Sequence, residues 1–337
     1  MVASIEDVAR LAGVSIATVS RALRGLPDVA AATRDRVLSA AAELDYVPSP
    51  FAARLASGRT ATVGVVVPFV NRWFFAEVID TVESALRAAG FDLLLYNLGD
   101  ESGRNRFFEV MPMRKRVDAV FIASLVLSDE ELAALDALGT PIGLLGLQRE
   151  GFIGTRIDDV GGARVAVNHL LDLGHRRIGL IGGDTDDPMQ FTPPLHRRTG
   201  YHEALQGRGV QPDQTLEVLG YFTADGGLAA AEHLLALPER PTALFAESDE
   251  MAYGALRAVR RAGLRVGPDV AVIGFDDQAN AELMDLSTIR QPVSEQALDV
   301  TTRLLAAIGQ DSFDASTVVL PTELVVRGST DPARSVH

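Results

Sequence analysis

The segment SIATVSRALR (residues 15–24) concentrates side chains suited to contacting nucleic acid. Val14, Val19 and Leu23 supply apolar anchors, which leaves Ser15, Ile16, Ala17, Thr18, Ser20, Arg21 and Arg24 facing outward. Hydroxyls at a helix start hold phosphates, and the first turns of such a helix bring side chains to base edges in a major groove. Arg21 is the candidate for a bidentate contact with guanine. The competing reading is a small helical bundle whose Ser/Thr/Arg face is simply solvated. Signatures of catalysis are missing from the sequence, with no Walker loop, no G-x-S-x-G and no H-E-x-x-H. The carboxylate pairs Asp158/Asp159 and Asp276/Asp277 are adjacent in sequence, not spaced to oppose each other across a cleft. The six histidines have no partners at metal-ligand spacing. With no cysteines, disulfides, cysteine zinc sites, iron–sulfur clusters and thiol catalysis are excluded. No catalytic residue, no metal and no cofactor is expected.

The elements around that segment are helical in period and punctuation. Ser4 and Asp7 resemble a capping box, with Asp in place of the usual Glu, and Ile5, Val8, Ala9 and Ala12 form an i, i+3, i+4, i+7 stripe. Gly13 stops this helix, Ser15 caps a second one through Arg24, and Gly25 and Pro27 halt it. A third helix is expected from about Ala32 to Leu44, burying Val37, Leu38, Ala41 and Leu44. Two short helices joined through AGVS with a third as buttress make a helix-turn-helix.

Charge follows the same division. The whole chain of 337 residues has a net charge of −14, which would argue against nucleic acid if it were uniform. Through residue 60 there are seven Arg against six acids, so the remaining residues carry −15. An electrostatic footprint belongs to a face and not to a whole chain. The length allows roughly two to three domains. The start, MVASIEDVARLAGVS, has neither the basic nor the apolar region of a secretory signal. No apolar run approaches the roughly 20 residues a spanning helix needs. A cytoplasmic protein with no membrane partner is expected.

From Thr62 onward strand-like and helical runs alternate. VGVVVPF (63–69), DLLLYN (92–97), DAVFIA (118–123), IGLLG (142–146), RIGLIGG (177–183), ALFA (243–246) and VAVIGF (270–275) read as strands. Helical stretches fall at 75–89, 103–115, 129–138, 161–173, 197–207, 225–236, 249–262 and 295–308. Near-continuous apolar strands imply parallel sheets covered on both faces. The body is too long for one doubly wound sheet and divides into two lobes. GGDTDDPMQFTPP (182–194) is a long polar loop expected to line a cleft. The expected boundaries are a helix-turn-helix domain at 1–46, a linker at 47–60, a core at 61–328 and a disordered tail at 329–337. Lobe 1 takes about 61–159 and 292–321, and lobe 2 about 160–291 and 322–328. In the linker, Ser49 and Pro50 start a helix of about two turns, too short to be stable alone. A plain linker turn is the alternative there.

The segments IEDVARLAGVSIATVSRAL, TRDRVLSAAAELDYVPSPFAARLASGRT, IDDVGGARVAVNHLLDLGHRRIGLIGG, RRTGYHEAL, ESDEMAYGALRAVRRAGLRVGPDVAVIGFDD and LVVRGST occur in the order of one known family. Over roughly residues 4–328 the chain resembles the lactose-repressor (LacI/GalR) family of bacterial transcription regulators. The resemblance implies an all-α helix-turn-helix domain followed by an α/β two-lobed core like that of periplasmic sugar-binding proteins. It puts the residues that tune operator sequence at Ile16 and Ala17, with Ser20 and Arg21 beside them. Arg24 stands where many members have Asn. Ala52 and Leu55 fall on a hinge helix that folds on operator DNA, Leu55 wedging into the minor groove.

In the core the resemblance gives Arg197 as a pocket arginine able to fork two ligand oxygens. It gives Asp276 as an acceptor of paired hydroxyls and Ser248 in place of the usual Asn. Phe75 and Phe222 match aromatic pocket positions, and Asn71 and Gln291 are further candidates. Each also has an ordinary structural reading, as an ion pair, a cap or a core aromatic. The implied function is a sequence-specific DNA-binding transcriptional regulator, a repressor, controlled by a small ligand, with a sugar favoured over a purine co-repressor. Its partners would be a pseudo-palindromic operator, a small-molecule effector and a second copy of the chain as homodimer, since no tetramerising leucine heptads follow Gly328. The rivals are a solute-binding protein without DNA function and a sugar-converting enzyme.

Overall fold

The computed structural model describes residues 3–23, 25–46, 59–186, 189, 191–331 and 333. The chain forms two compact units, Met1–Thr62 with Lys115–Asp118, and Val63–Arg114 with Ala119–His337.

The first unit holds three helices, α1 (Ile5–Ala12), α2 (Ile16–Leu23) and α3 (Ala31–Glu43). The capping box at Ser4 is complete: Asp7 N donates to Ser4 Oγ at 3.3 Å, and Ser4 N donates to the Asp7 carboxylate at 3.0 Å. These hydrogen bonds hold the Asp7 carboxyl below its ordinary range. Gly13 ends α1 in the left-handed region at φ 66°, which a side chain would oppose. Val8, Ala9, Ala12, Val19, Ala22, Val29, Val37, Ala40 and Ala41 form the core. Leu38, expected inside, is 47% exposed, because the buried stripe of α3 runs through 37, 40, 41 and 44 and Leu38 lies about 100° round from Val37.

The second unit is two α/β lobes, each with a six-stranded sheet. Lobe 1 opens with β1 (Thr62–Val67), α4 (Trp73–Ala88), β2 (Asp92–Asn97), α5 (Glu101–Val110), β3 (Ala119–Ala123), α6 (Asp129–Asp136), β4 (Ile142–Leu145) and β5 (Ile153–Ile157). Lobe 2 follows with α7 (Asp159–Asp172), β6 (Ile178–Gly182), α8 (Pro193–Gly207), β7 (Glu217–Leu219), α9 (Ala224–Leu235), β8 (Ala243–Ala246), α10 (Asp249–Arg261), β9 (Ala271–Asp276), α11 (Ala279–Leu283) and β10 (Ser287–Arg290). The chain then returns through α12 (Val293–Ala307) and β11 (Thr317–Leu320) before β12 (Glu323–Val325).

Sheet order is β11-β5-β4-β3-β1-β2 in lobe 1 and β12-β10-β9-β8-β6-β7 in lobe 2. Among the pairs with a recorded register all are parallel except β10 with β12. Strands β3, β4, β6, β8 and β9 are buried along their length, as sheets covered on both faces require. Helices α4 and α12 close one face of the first sheet through Phe75, Val78, Val82, Val293, Ala297 and Val300. In lobe 2, α7 and α8 cover one face and α9 and α10 the other. The chain therefore passes between the sheets three times, at 157–159, 290–293 and 320–323.

Two expectations need correction. Helix α8 starts at Pro193, four residues before the expected Arg197, with proline in the first turn where its missing N–H costs nothing. The chain also stays ordered past Gly328. A 3-10 turn spans Gly328–Thr330, Ser329 Oγ donates to Val272 O at 2.6 Å and accepts from Ser287 N at 2.8 Å, and both Ser329 and Thr330 are buried.

Candidate functional site

On α2, Ser15, Ile16, Ala17 and Arg21 are exposed, and Thr18 and Ser20 are half-buried. Ser15 caps the helix by accepting from Thr18 N at 3.2 Å, and its hydroxyl is 2.9 Å from that of Thr18. Ile16, 46% exposed, is a large apolar side chain left in water at the helix start. Arg21 pairs with Asp28 at 3.3 Å, both more than half exposed. An exposed pair is worth under about 1 kcal/mol, so the guanidinium is readily released to another acceptor. The face thus offers hydroxyls, one apolar side chain and a fork-shaped cation on one helix start. Arg24, Ala52 and Leu55 lie outside the described residues.

In the second unit, Phe75, Arg197, Phe222, Ser248, Asp276 and Gln291 line one cavity between the lobes. Asn71 does not: it is exposed in the β1–α4 loop, and its neighbour Arg72 lines the cavity instead. The cavity lies beyond the carboxyl ends of the strands, where open α/β sheets hold ligands. Ser124 follows β3, Gly146 follows β4, Ser248 follows β8, Asp276 ends β9 and Gln291 follows β10. Ser124, Phe222 and Asp276 have φ of 46°, 53° and 124°. Backbone held in that region is strained for any side chain other than glycine, and such strain gathers at functional sites.

One polar network organises the lobe 2 wall. Arg197 Nε donates to Asp159 Oδ1 at 2.9 Å, its Nη1 donates to Glu247 O, and its guanidinium lies 3.6 Å over the Phe275 ring. Asp276 faces Arg197 Nη1 at 3.6 Å and accepts from Gln291 Nε2 at 2.5 Å and Gln278 Nε2 at 3.4 Å. Burial nevertheless holds the Asp276 carboxyl above its ordinary range, against Arg197 and the two amides. Asp249, fully buried, accepts from Thr288 Oγ1 at 2.6 Å and Gln278 N at 2.8 Å, and is also pushed up by burial. Burial also pushes the Glu250 carboxyl up, against the Trp73 backbone N–H at the start of α4 and Arg72, which favour its charged form.

Phenylalanine rings from both lobes also line the cavity. Phe222 meets Phe191 edge-on at 5.4 Å, and Phe191 meets Phe75 at 6.0 Å, so Phe191 bridges the lobes. With these rings in place the cavity is about 50 Å³, room for a few water molecules. Small-molecule clefts are about 300–1,000 Å³.

Arg72, Ser124, Asp159, Phe191, Glu250, Gln278 and Gln296 also line the cavity. Phe191 belongs to the loop expected at a cleft, and Asp159 opens a helix at a lobe crossing, so both carried a signal. Gln296 stands on a helix face that reads as packing, and nothing in its local pattern marks it. Among the described residues no group of His, Asp and Glu could hold a metal ion, and no helix is long and apolar enough to cross a membrane.

A helix-turn-helix unit followed in the chain by a two-lobed α/β core with a cleft between the lobes defines a ligand-responsive DNA-binding regulator. The family model described as bacterial regulatory proteins, lacI family, matches residues 4–49, and a periplasmic binding protein-like domain matches residues 167–330. The chain is 36% identical over 337 residues to the HTH-type transcriptional regulator CelR of Thermobifida fusca, covering 97% of this chain and 98% of that one. A solved CelR–cellobiose complex is similar at TM-score 0.70 and 35% identity, covering 97% of this chain and 99% of the other. The Lac repressor dimer bound to operator and the anti-inducer ONPF is similar at TM-score 0.86 and 28% identity, covering 98% and 100%. The chain belongs to the lacI family of bacterial regulatory proteins.

Proposed function

We propose that the protein is a cytoplasmic repressor that binds a pseudo-palindromic operator as a homodimer and is controlled by a saccharide held between its lobes without turnover. One arrangement carries the saccharide reading: a buried acid–amide–arginine network and a set of phenylalanine rings line a single cleft. A sugar needs that combination, carboxylate and amide acceptors for its hydroxyls and an aromatic face for its C–H surface. In this reading Asp276 and Gln291 take ligand hydroxyls, Arg197 fixes Asp276, Ser248 adds a short hydroxyl contact, and Phe75 and Phe222 pack the sugar face. The relative solved with cellobiose supports the ligand class, and the relative solved on operator supports the dimer. At about 50 Å³ the cavity admits a saccharide only when the lobes part or Phe191 withdraws.

On DNA, Ile16 and Ala17 pack against thymine methyls, Arg21 leaves Asp28 for a guanine, and Ser15, Thr18 and Ser20 hold phosphates. Arg24, Ala52 and Leu55 keep the roles the family resemblance gives them. The test is a footprint on DNA flanking the protein's own gene, at stated salt because phosphate contacts make affinity salt-dependent. The expected result is a protected palindrome that one of a panel of mono- and disaccharides releases. Protection that no saccharide alters removes the sugar, and no protection under any condition removes the repressor.

A further inference from the structure

Polar side chains inside a fold are almost always hydrogen-bonded, since an unmade bond costs more than a made one gains. On the lobe 2 side of the cleft, Arg197, Asp249 and Asp276 follow this rule, each with several partners. Gln296 does not. It lies in the first turn of α12, is 2% exposed, lines the cavity, and its Nε2 is buried without a hydrogen-bond partner among the described residues. Its position on the helix sharpens the point. Val293, Ala297, Val300 and Leu304 form the stripe of α12 that packs into lobe 1, and Gln296, three residues after Val293, borders that stripe. Packing alone would place a leucine or methionine there. The carboxamide therefore costs stability in the protein alone, and the face it offers is directed to the cleft.

We propose that Gln296 is a ligand-reading residue, its carboxamide taking a hydroxyl on the half of the effector that rests against lobe 1. The proposal rests on the saccharide reading of the cleft and narrows it. Asp276 and its amides take the hydroxyls of one sugar ring, and Gln296 requires hydroxyls on the other half as well. The effector is then a disaccharide or longer saccharide, not a single sugar bearing an apolar aglycone. A hydroxyl donates and accepts, so it satisfies the amide in either of its two flipped orientations. Ser124, 4% exposed just after β3, gives the same wall a hydroxyl that also lines the cavity. The phenylalanine rings between these groups supply apolar contact, and Gln296 supplies the directional one.

The test uses the full chain and Gln296→Met, which keeps the length and flexibility of the side chain and removes only the amide. Cellobiose, lactose and maltose are compared with the phenyl glycosides of glucose and galactose by calorimetry and thermal melting. The wild type should bind one of the disaccharides more tightly than the matching phenyl glycoside. In Gln296→Met that disaccharide should weaken by about tenfold, the worth of one buried neutral hydrogen bond, while the phenyl glycoside holds its affinity. Without ligand the variant should melt about 2 °C higher, because an unmet polar group has gone. A glutamine bonded within the fold would make it melt lower, which would overturn the proposal. So would unchanged disaccharide affinity, or equal weakening of both ligand types. If no saccharide shifts the wild type at all while the operator is still protected, the saccharide reading itself fails and takes this inference with it.

Discussion

Glu247 follows β8 and Asp276 ends the neighbouring strand β9, and both are carboxyls kept from water. Glu247 is 1% exposed and accepts from Gly183 N at 2.8 Å, while its own carbonyl holds Arg197. Burial outweighs that bond and the nearby Arg197, and pushes the Glu247 carboxyl up to about 8. The folded state therefore keeps a proton there that the unfolded chain gives up near the ordinary glutamate value. Stability from this group is complete below that value and is lost as pH rises through about 8. Glu247→Gln, which mimics the protonated form, should remove the loss. Denaturation of both proteins across pH 5–9 should show the variant gaining on wild type by up to about 1.4 kcal/mol per pH unit below pH 8, then no further. A gap that does not change with pH would mean Glu247 is ionised in the fold. Asp276 adds to the same trend, and a saccharide hydroxyl donating to it would favour its charged form.

The contact between α9 and α10 shows what one missing carbon does for an element. A Cβ on Gly254 would fall 2.1 Å from Ala224 O and 2.4 Å from Leu228 N, and one on Gly227 would fall 2.2 Å from Met251 O. Backbone meets backbone here, so no rotamer change relieves the clash. Gly254→Ala should cost about 1–3 kcal/mol in chemical denaturation as α9 is pushed from α10. Gly207→Ala, with open space around it at the end of α8, should cost nothing. Close approaches like this cannot be read from helix period, which marks Gly227 and Gly254 only as weak helix formers. The sequence was legible where apolar runs were long: β1 beyond Thr62, β3, β6, β8 and β9 are buried and fall where such runs occur. It was not legible for β5, β7, β10, β11 and β12, three to five residues each and carrying Glu, Arg, Ser or Thr. Pairing within the sheet decides those strands, at an edge for β7, β11 and β12 and between two neighbours for β5 and β10, and no local pattern records it. The cleft divides the same way. Ser248 and Asp276 were legible because they follow or end apolar strands, where topology places ligands, whereas Gln291 came from the family resemblance. Asn71 was misplaced by one residue from Arg72, since a loop has no period to set its facing.

At the scale of the two-lobed core, contacts among the described residues tie lobe to lobe. Arg104 forks Glu131 at 2.7 and 2.8 Å while donating to Met189 O at 2.7 Å, Phe191 bridges Phe75 and Phe222, and the Arg72 guanidinium lies 6.0 Å from the Phe222 ring. Parting the lobes breaks these ties together, which makes lobe position a small set of states rather than a continuum. A ligand changes operator affinity only by as much as it prefers one of those states, typically about 1–3 kcal/mol, or 5- to 150-fold. Arg197 sits where that preference is set, between Asp159 at the crossing from β5 and Asp276 at the ligand wall. The core of α1–α3 is built from its own buried residues, none of which comes from α8. Arg197→Ala should therefore keep the operator footprint and lose its release by saccharide. The salt dependence of DNA binding should stay at the wild-type slope, because no phosphate contact has been touched. Release that persists at the wild-type saccharide concentration would move the effector out of this cleft. Loss of the footprint in a variant that melts like the wild type would show that Arg197 sets the resting state of the lobes as well as their response.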